Sequence, residues 1–142
     1  DFIMAEKGAG SFIRRSDGEE IAAAVGDPVP PDQMTGSVSW PYMEGPEREM
    51  VARNQTKCLN HFAYRCAAHE YRLLAGGHAD FLLFAKVMPW DHLPGSLILE
   101  EAGGYIAHFD GSRYRPGKSG TGLLASTDRE SWQAVREMLW AG

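Results

Sequence analysis

Cysteine is scarce in this chain: Cys58 and Cys66 are the only two in 142 residues, and their separation is unlike that of a C-x-x-C motif. That excludes a disulfide framework and a structural zinc site, and makes reduced thiols and a cytoplasmic setting the expectation. Long apolar runs are missing too. None approaches the roughly 18 residues needed to span a bilayer, and no basic-then-apolar leader opens the chain, so no membrane partner is expected. Lys and Arg form no block. With 14 basic against 19 acidic side chains and a formal charge of −5, the sequence offers no stripe to track a nucleic-acid backbone. The five histidines, His61, His69, His78, His92 and His108, lack any paired metal-ligand spacing on one helix. An initiator methionine is also lacking: the chain opens on Asp1-Phe2-Ile3-Met4-Ala5, an apolar run that reads as a strand in progress and as the later part of something longer.

What is present suffices for one domain with a real core. Residues 2–5 and 11–14 read as strands around the turn Lys7-Gly8-Ala9-Gly10, whose glycines supply positive φ. Pro28, Pro30 and Pro31 make residues 26–35 a loop. Residues 36–42 form a strand candidate with Val38 and Trp40 on one face, and Pro46 opens a helix running to about Lys57. A second helix spans 66–75, with Ala67, Tyr71, Leu74 and Ala75 as its apolar stripe and Gly76-Gly77 ending it. Residues 79–84 are a strand buried on both faces. A third helix is expected over 93–102, and residues 105–109 form a strand returning through the Asp110-Gly111 turn and Tyr114. After a short strand at 123–125, Thr127 and Glu130 have capping-box spacing for a closing helix that carries Trp132, Val135, Met138 and Leu139. Strands alternating with helices, mixed with hairpins, predict a layered α/β sandwich with a mixed β-sheet flanked by helices.

The segment from Pro89-Trp90-Asp91-His92-Leu93-Pro94-Gly95-Ser96-Leu97 to Glu101-Ala102-Gly103-Gly104 carries the most chemistry. It places one carboxylate at a helix start, where unpaired amides favour an anion. Two readings are open: Asp91 caps the helix, or it faces a metal or phosphate where a strand end meets a helix start. Trp90 is large enough to wall a pocket, and Gly95 and Ser96 leave room for a ligand. Lys86 and His92 flank the turn and could offer positive charge to a phosphate, although a solvated Lys and a packed His are the plainer readings. Asn54-Gln55-Thr56 is a formal glycosylation sequon without a secretory context.

Residues 90–104 resemble the C-terminal signature of the inositol monophosphatase family, a Trp-Asp pair, small residues, an apolar stretch and Glu-Ala-Gly-Gly. Gly76-Gly77-His78-Ala79-Asp80-Phe81 is similar to the family's glycine-rich turn before its penultimate strand. Ala5-Glu6-Lys7-Gly8-Ala9-Gly10 is similar to its mid-chain hairpin. The resemblance implies the C-terminal half of a sugar-phosphatase-like fold, with residues 1–25 as a hairpin left from the N-terminal half and 36–142 as the C-terminal α/β domain.

By the same resemblance, Asp91 matches a magnesium ligand. The family's other ligands, a Glu and an Asp-Pro-x-Asp-Gly-Thr motif, have no counterpart in the sequence. Ala67 matches a position whose backbone approaches the substrate, where a small side chain permits contact; a residue packed because it is small fits equally. Phe84 departs from the family, standing where inositol-specific members carry a Glu that contacts ring hydroxyls. An apolar ring cannot accept those hydrogen bonds, which points away from inositol monophosphate itself. The implied function is a magnesium-dependent phosphomonoesterase for a small phosphorylated polyol or sugar, working as a homodimer and inactive as this chain alone. The alternative is a non-catalytic binding or assembly module that keeps the fold without a metal site.

Overall fold

The structure is a computed structural model that describes residues 1–117 and 122–142. Its backbone forms two sheets. The smaller is an antiparallel three-stranded sheet of β1 (Phe2–Glu6), β2 (Gly10–Arg14) and β3 (Glu20–Ala22) in that order. Met4 stands opposite Phe12 across the first pair and Ile13 opposite Ile21 across the second. The expected hairpin is therefore present, with a third strand that the sequence, short and flanked by Glu and Ala, did not signal.

The larger sheet has the order β5-β4-β6-β8-β7. Its strands are β4 (Thr35–Val38), β5 (Asn60–Phe62), β6 (Phe81–Phe84), β7 (Tyr105–His108) and β8 (Leu123–Ser126). β4 runs parallel to both β5 and β6, whereas β8 is antiparallel to both β6 and β7. The sheet is mixed, as expected. Among the described residues there are four α-helices: α1 (Gly45–Asn54), α2 (Ala67–Ala75), α3 (Pro89–Glu101) and α4 (Arg129–Leu139).

Side-chain alternation in β6 sets the layering. All four of its residues are buried, and successive side chains point to opposite faces of the sheet. Phe81 and Leu83 join Val38, Leu124, Val51, Trp132, Val135 and Leu139 in a core beneath α1 and α4. Leu82 and Phe84 join Ile106, Leu123, Ala125, Tyr71, Leu74 and Leu99 beneath α2 and α3. The small sheet then lies on the far side of α2 and α3, where Ile3, Ile13 and Ala23 meet Ala75, Ile98 and Ala102. The layers run helix pair, five-stranded sheet, helix pair, three-stranded sheet.

Several local expectations are corrected by the packing. The strand at 35 ends at Val38, and Trp40–Tyr42 is a tight helical turn led by Pro41, so Val38 and Trp40 do not share a strand face. The Asp110-Gly111 turn is closed by a Gly111 N–H bond to the His108 carbonyl. The partner of β7, however, is Leu123–Ser126 rather than a strand through Tyr114. Helix α4 is capped by Asp128, whose carboxylate accepts from the Ser131 amide at 2.7 Å, instead of by Thr127. The sequon asparagine is a structural strut: Asn54 is buried, and its amide nitrogen donates to the carbonyls of Leu139 and Ala141. Among the described residues no helix is long and apolar enough to cross a membrane.

Candidate functional site

Strands β4 and β6 are parallel neighbours, and β6 feeds directly into α3 while β5 feeds into α2. Crevices beyond the carboxyl ends of such strands, where helices begin, are the usual ligand positions of α/β sheets. A cavity of about 320 Å³ lies there, lined by Ala67 and Glu70 of α2, Arg65 before it, Phe84 and Lys86 at the end of β6, and Trp90, Asp91 and His92 of α3. The three residues nominated from sequence as site residues, Ala67, Phe84 and Asp91, thus meet around one space.

Helix α3 starts earlier than the sequence suggested. Pro89 takes the first helical position, where its missing N–H is no loss and its fixed φ suits a helix, and the amides of Asp91 and His92 both bond to the Met88 carbonyl. Asp91 is therefore inside the first turn and does not cap; the cap position is Met88, and no side chain fills that role. The Asp91 side chain is exposed and takes no hydrogen bond from the described residues. Its carboxylate is favoured there by the helix dipole. Trp90 lines the cavity but leaves 72% of its surface in solvent, so it forms a rim rather than a wall.

Gly95 does not make room for a ligand. A Cβ at this position would fall on the Tyr71 ring, so the missing side chain is what lets α3 cross α2. Tyr71 in turn stacks on Phe84 with centroids 5.0 Å apart. Phe84 thereby has a packing role as well as a face on the cavity.

His92 is a packed histidine. It is 2% exposed, with Nε2 3.2 Å from the Lys86 carbonyl and Nδ1 2.9 Å from the Tyr71 hydroxyl. Because a carbonyl only accepts, Nε2 carries the proton, and Nδ1 of the neutral ring accepts from Tyr71. Burial pushes the imidazole's pKa down from 6.5, against the opposing pull of the Lys86 carbonyl and the Asp91 charge. Burial also holds the Tyr71 phenol well above its ordinary range. A neutral ring with both nitrogens engaged offers no charge to a phosphate, whereas Lys86 remains exposed at the rim.

Glu70 and Arg65 were not nominated from sequence. Glu70 is 2% exposed, and its Oε1 accepts from the Ser37 hydroxyl at 2.7 Å and the Tyr64 amide at 3.0 Å. A signal existed: Glu70 falls three positions after Ala67 and four before Leu74, on the apolar stripe of its own helix. Arg65 has φ +56°, a left-handed conformation for a non-glycine residue, which no local pattern announces.

The residues present do not by themselves fit a magnesium ion. A hard octahedral cation wants several oxygen ligands. The cavity offers Asp91 and a Glu70 already committed through one oxygen, and among the described residues no three His, Cys, Asp or Glu side chains converge. A second cavity, about 690 Å³, lies on the opposite side of the α2 start and is lined by Ile13, Arg15, Ile21, Tyr64, His69 and Arg72. It is larger, but Ala67, Phe84 and Asp91 are not on its wall.

A mixed sheet between helix pairs, with an acid in the first turn of the helix after a buried parallel strand, defines a layered α/β domain. The chain belongs to the inositol monophosphatase family, whose model matches residues 1–140. Solved structures share the fold. The extragenic suppressor protein suhB from Bartonella henselae superposes with a TM-score of 0.82 at 19% identity, over 96% of this chain and 52% of its own. SaIMPase-II bound to inositol monophosphate gives 0.78 at 21% identity, over 95% and 51%. An IMPase from Thermotoga maritima gives 0.71 at 22% identity, over 95% and 51%. The chain spans about half the length of the solved structures it matches. No curated protein matches it.

Proposed function

We propose that this chain is the substrate-side, C-terminal half of a magnesium-dependent phosphomonoesterase acting on a small phosphorylated polyol or sugar. The observation that carries the reading is the meeting of Asp91, Ala67 and Phe84 around one cavity at the ends of the parallel strands. Asp91 would supply one oxygen ligand to a magnesium ion, with the remaining ligands supplied from outside these residues. Ala67, at the first position of α2, leaves the backbone open to the substrate, and Lys86 adds positive charge at the rim. Phe84 presents an apolar ring, so inositol monophosphate is not the favoured ester. The two free cysteines support a cytoplasmic setting.

Phosphate release with magnesium tests the proposal. The intact natural polypeptide that carries these residues is expected to hydrolyse polyol or sugar phosphates, and the 142-residue chain alone is expected to release none. Turnover by the isolated chain comparable to the intact protein would contradict the division of ligands. A homodimer belongs to the same proposal. Sedimentation of the intact polypeptide as a monomer at micromolar concentration would refute it.

A further inference from the structure

We propose that Glu70 supplies the acceptor that reads the substrate's hydroxyl groups, from the α2 side of the cavity. The assignment rests on the phosphomonoesterase reading above and names the residue that sets its substrate class. Glu70 is almost wholly buried, yet it lines the same cavity as Asp91 and Ala67. Its two protein hydrogen bonds, from Ser37 and Tyr64, both end on Oε1. Oε2 takes none from the described residues. A carboxylate has about four lone-pair sites, so the half on Oε2 is unspent toward the protein, and Oε2 is not among the side-chain atoms sealed from solvent without a partner.

A purely structural tie does not account for this. Joining β4 to the turn before α2 requires only one acceptor oxygen, which a neutral Gln of the same length provides without burying an acid. The acid sits in the first turns of α2, where the helix dipole offsets part of its desolvation. The two donors fix its rotamer, and a side chain locked by neighbouring hydrogen bonds is preorganised for a ligand. Left-handed Arg65, between Tyr64 and the helix start, is the kind of strained backbone position that gathers at binding sites. Phe84 on the same cavity can accept nothing, whereas Glu70 offers it a fixed carboxylate oxygen for a ring or chain hydroxyl.

The test compares two esters in the intact natural polypeptide: a polyhydroxylated sugar phosphate and p-nitrophenyl phosphate, which has no hydroxyl to read. Glu70→Gln keeps an oxygen for Ser37 and Tyr64 and presents an amide where the acceptor was. The expected result is a fall of about tenfold in the ratio of kcat/KM for the sugar ester to that for the aryl ester, carried by KM. A structural role alone would move both esters together, and an unchanged ratio overturns the assignment. Glu70→Asp keeps the charge but retracts it by a methylene; read by the same ratio, it decides the matter if the Gln protein does not fold. If the unsubstituted protein hydrolyses neither ester, the phosphatase reading falls, and the role of Glu70 falls with it.

Discussion

Gly95 and Tyr71 show how one atom sets the packing of α3 on α2. On an exposed helix, Gly→Ala gains about 1 kcal/mol from helix propensity. Here the added Cβ meets a ring that is 1% exposed, stacked on Phe84 and bonded to His92. Overpacking of that kind costs about 1–3 kcal/mol or more, so the clash wins. Gly95→Ala is expected to lower unfolding stability in denaturant titration; an equal or higher stability would mean that α3 can move away from α2 at little cost. This contact was not legible in the sequence. Gly95 reads as space, and only the crossing of two helices reveals that Tyr71 already fills it. Glu70 was half legible, as an acid on an apolar stripe, whereas the left-handed Arg65 left no trace in residue type.

At the level of elements, the Glu-Ala-Gly-Gly segment joins the two sheets. The Glu101 carboxylate accepts from the amides of Gly8 at 2.8 Å and Gly10 at 3.0 Å, and the Ala102 carbonyl accepts from Val25 at 3.1 Å. Gly103, with φ +89°, then turns the chain toward β7. The Gly8 and Gly10 amides hold the Glu101 carboxyl below its ordinary 4.5. With the folded pKa depressed, the unfolded chain binds the proton first as pH falls. The stabilisation is therefore complete above about pH 4.5 and is lost as pH drops through the lower folded value. Glu101→Gln is expected to flatten the acid-side loss of stability and to speed hydrogen exchange at the Gly8 and Gly10 amides. An acid limb and exchange rates matching the unsubstituted chain would show that the turn docks without this carboxylate.

Element types were more legible than their ends. The run Phe81–Phe84 announced a strand buried on both faces because nearly every residue is large and apolar. The closing helix was legible from Trp132, Val135 and Leu139, all of them buried. Strands β3 and β5 were not: each has three residues, too few for a period of two to register. The start of α3 is hard to read from sequence because Trp-Asp before small residues resembles a turn, whereas Pro89 at the first helical position fixes it earlier.

Across the whole molecule, the cavity exists because β4 and β6 end together while α2 and α3 begin beside them. That arrangement collects Ala67, Glu70, Phe84 and Asp91 from segments spread over 25 positions of sequence. It also leaves the metal chemistry incomplete, since among the described residues the acids around the cavity form no three-ligand group. On the function proposed above, the chain supplies one side of an active site. The most direct test is Asp91→Asn in the intact natural polypeptide, assayed for phosphate release with magnesium alongside a melting curve. Asp91 is exposed and makes no hydrogen bond to the described residues, so the melting temperature is expected to hold within a few degrees. Loss of a metal ligand is expected to lower kcat/KM by more than about a hundredfold. A variant that keeps most of its activity at saturating magnesium would contradict the assignment of Asp91 as a ligand, and with it the account of this cavity as half of a phosphatase site.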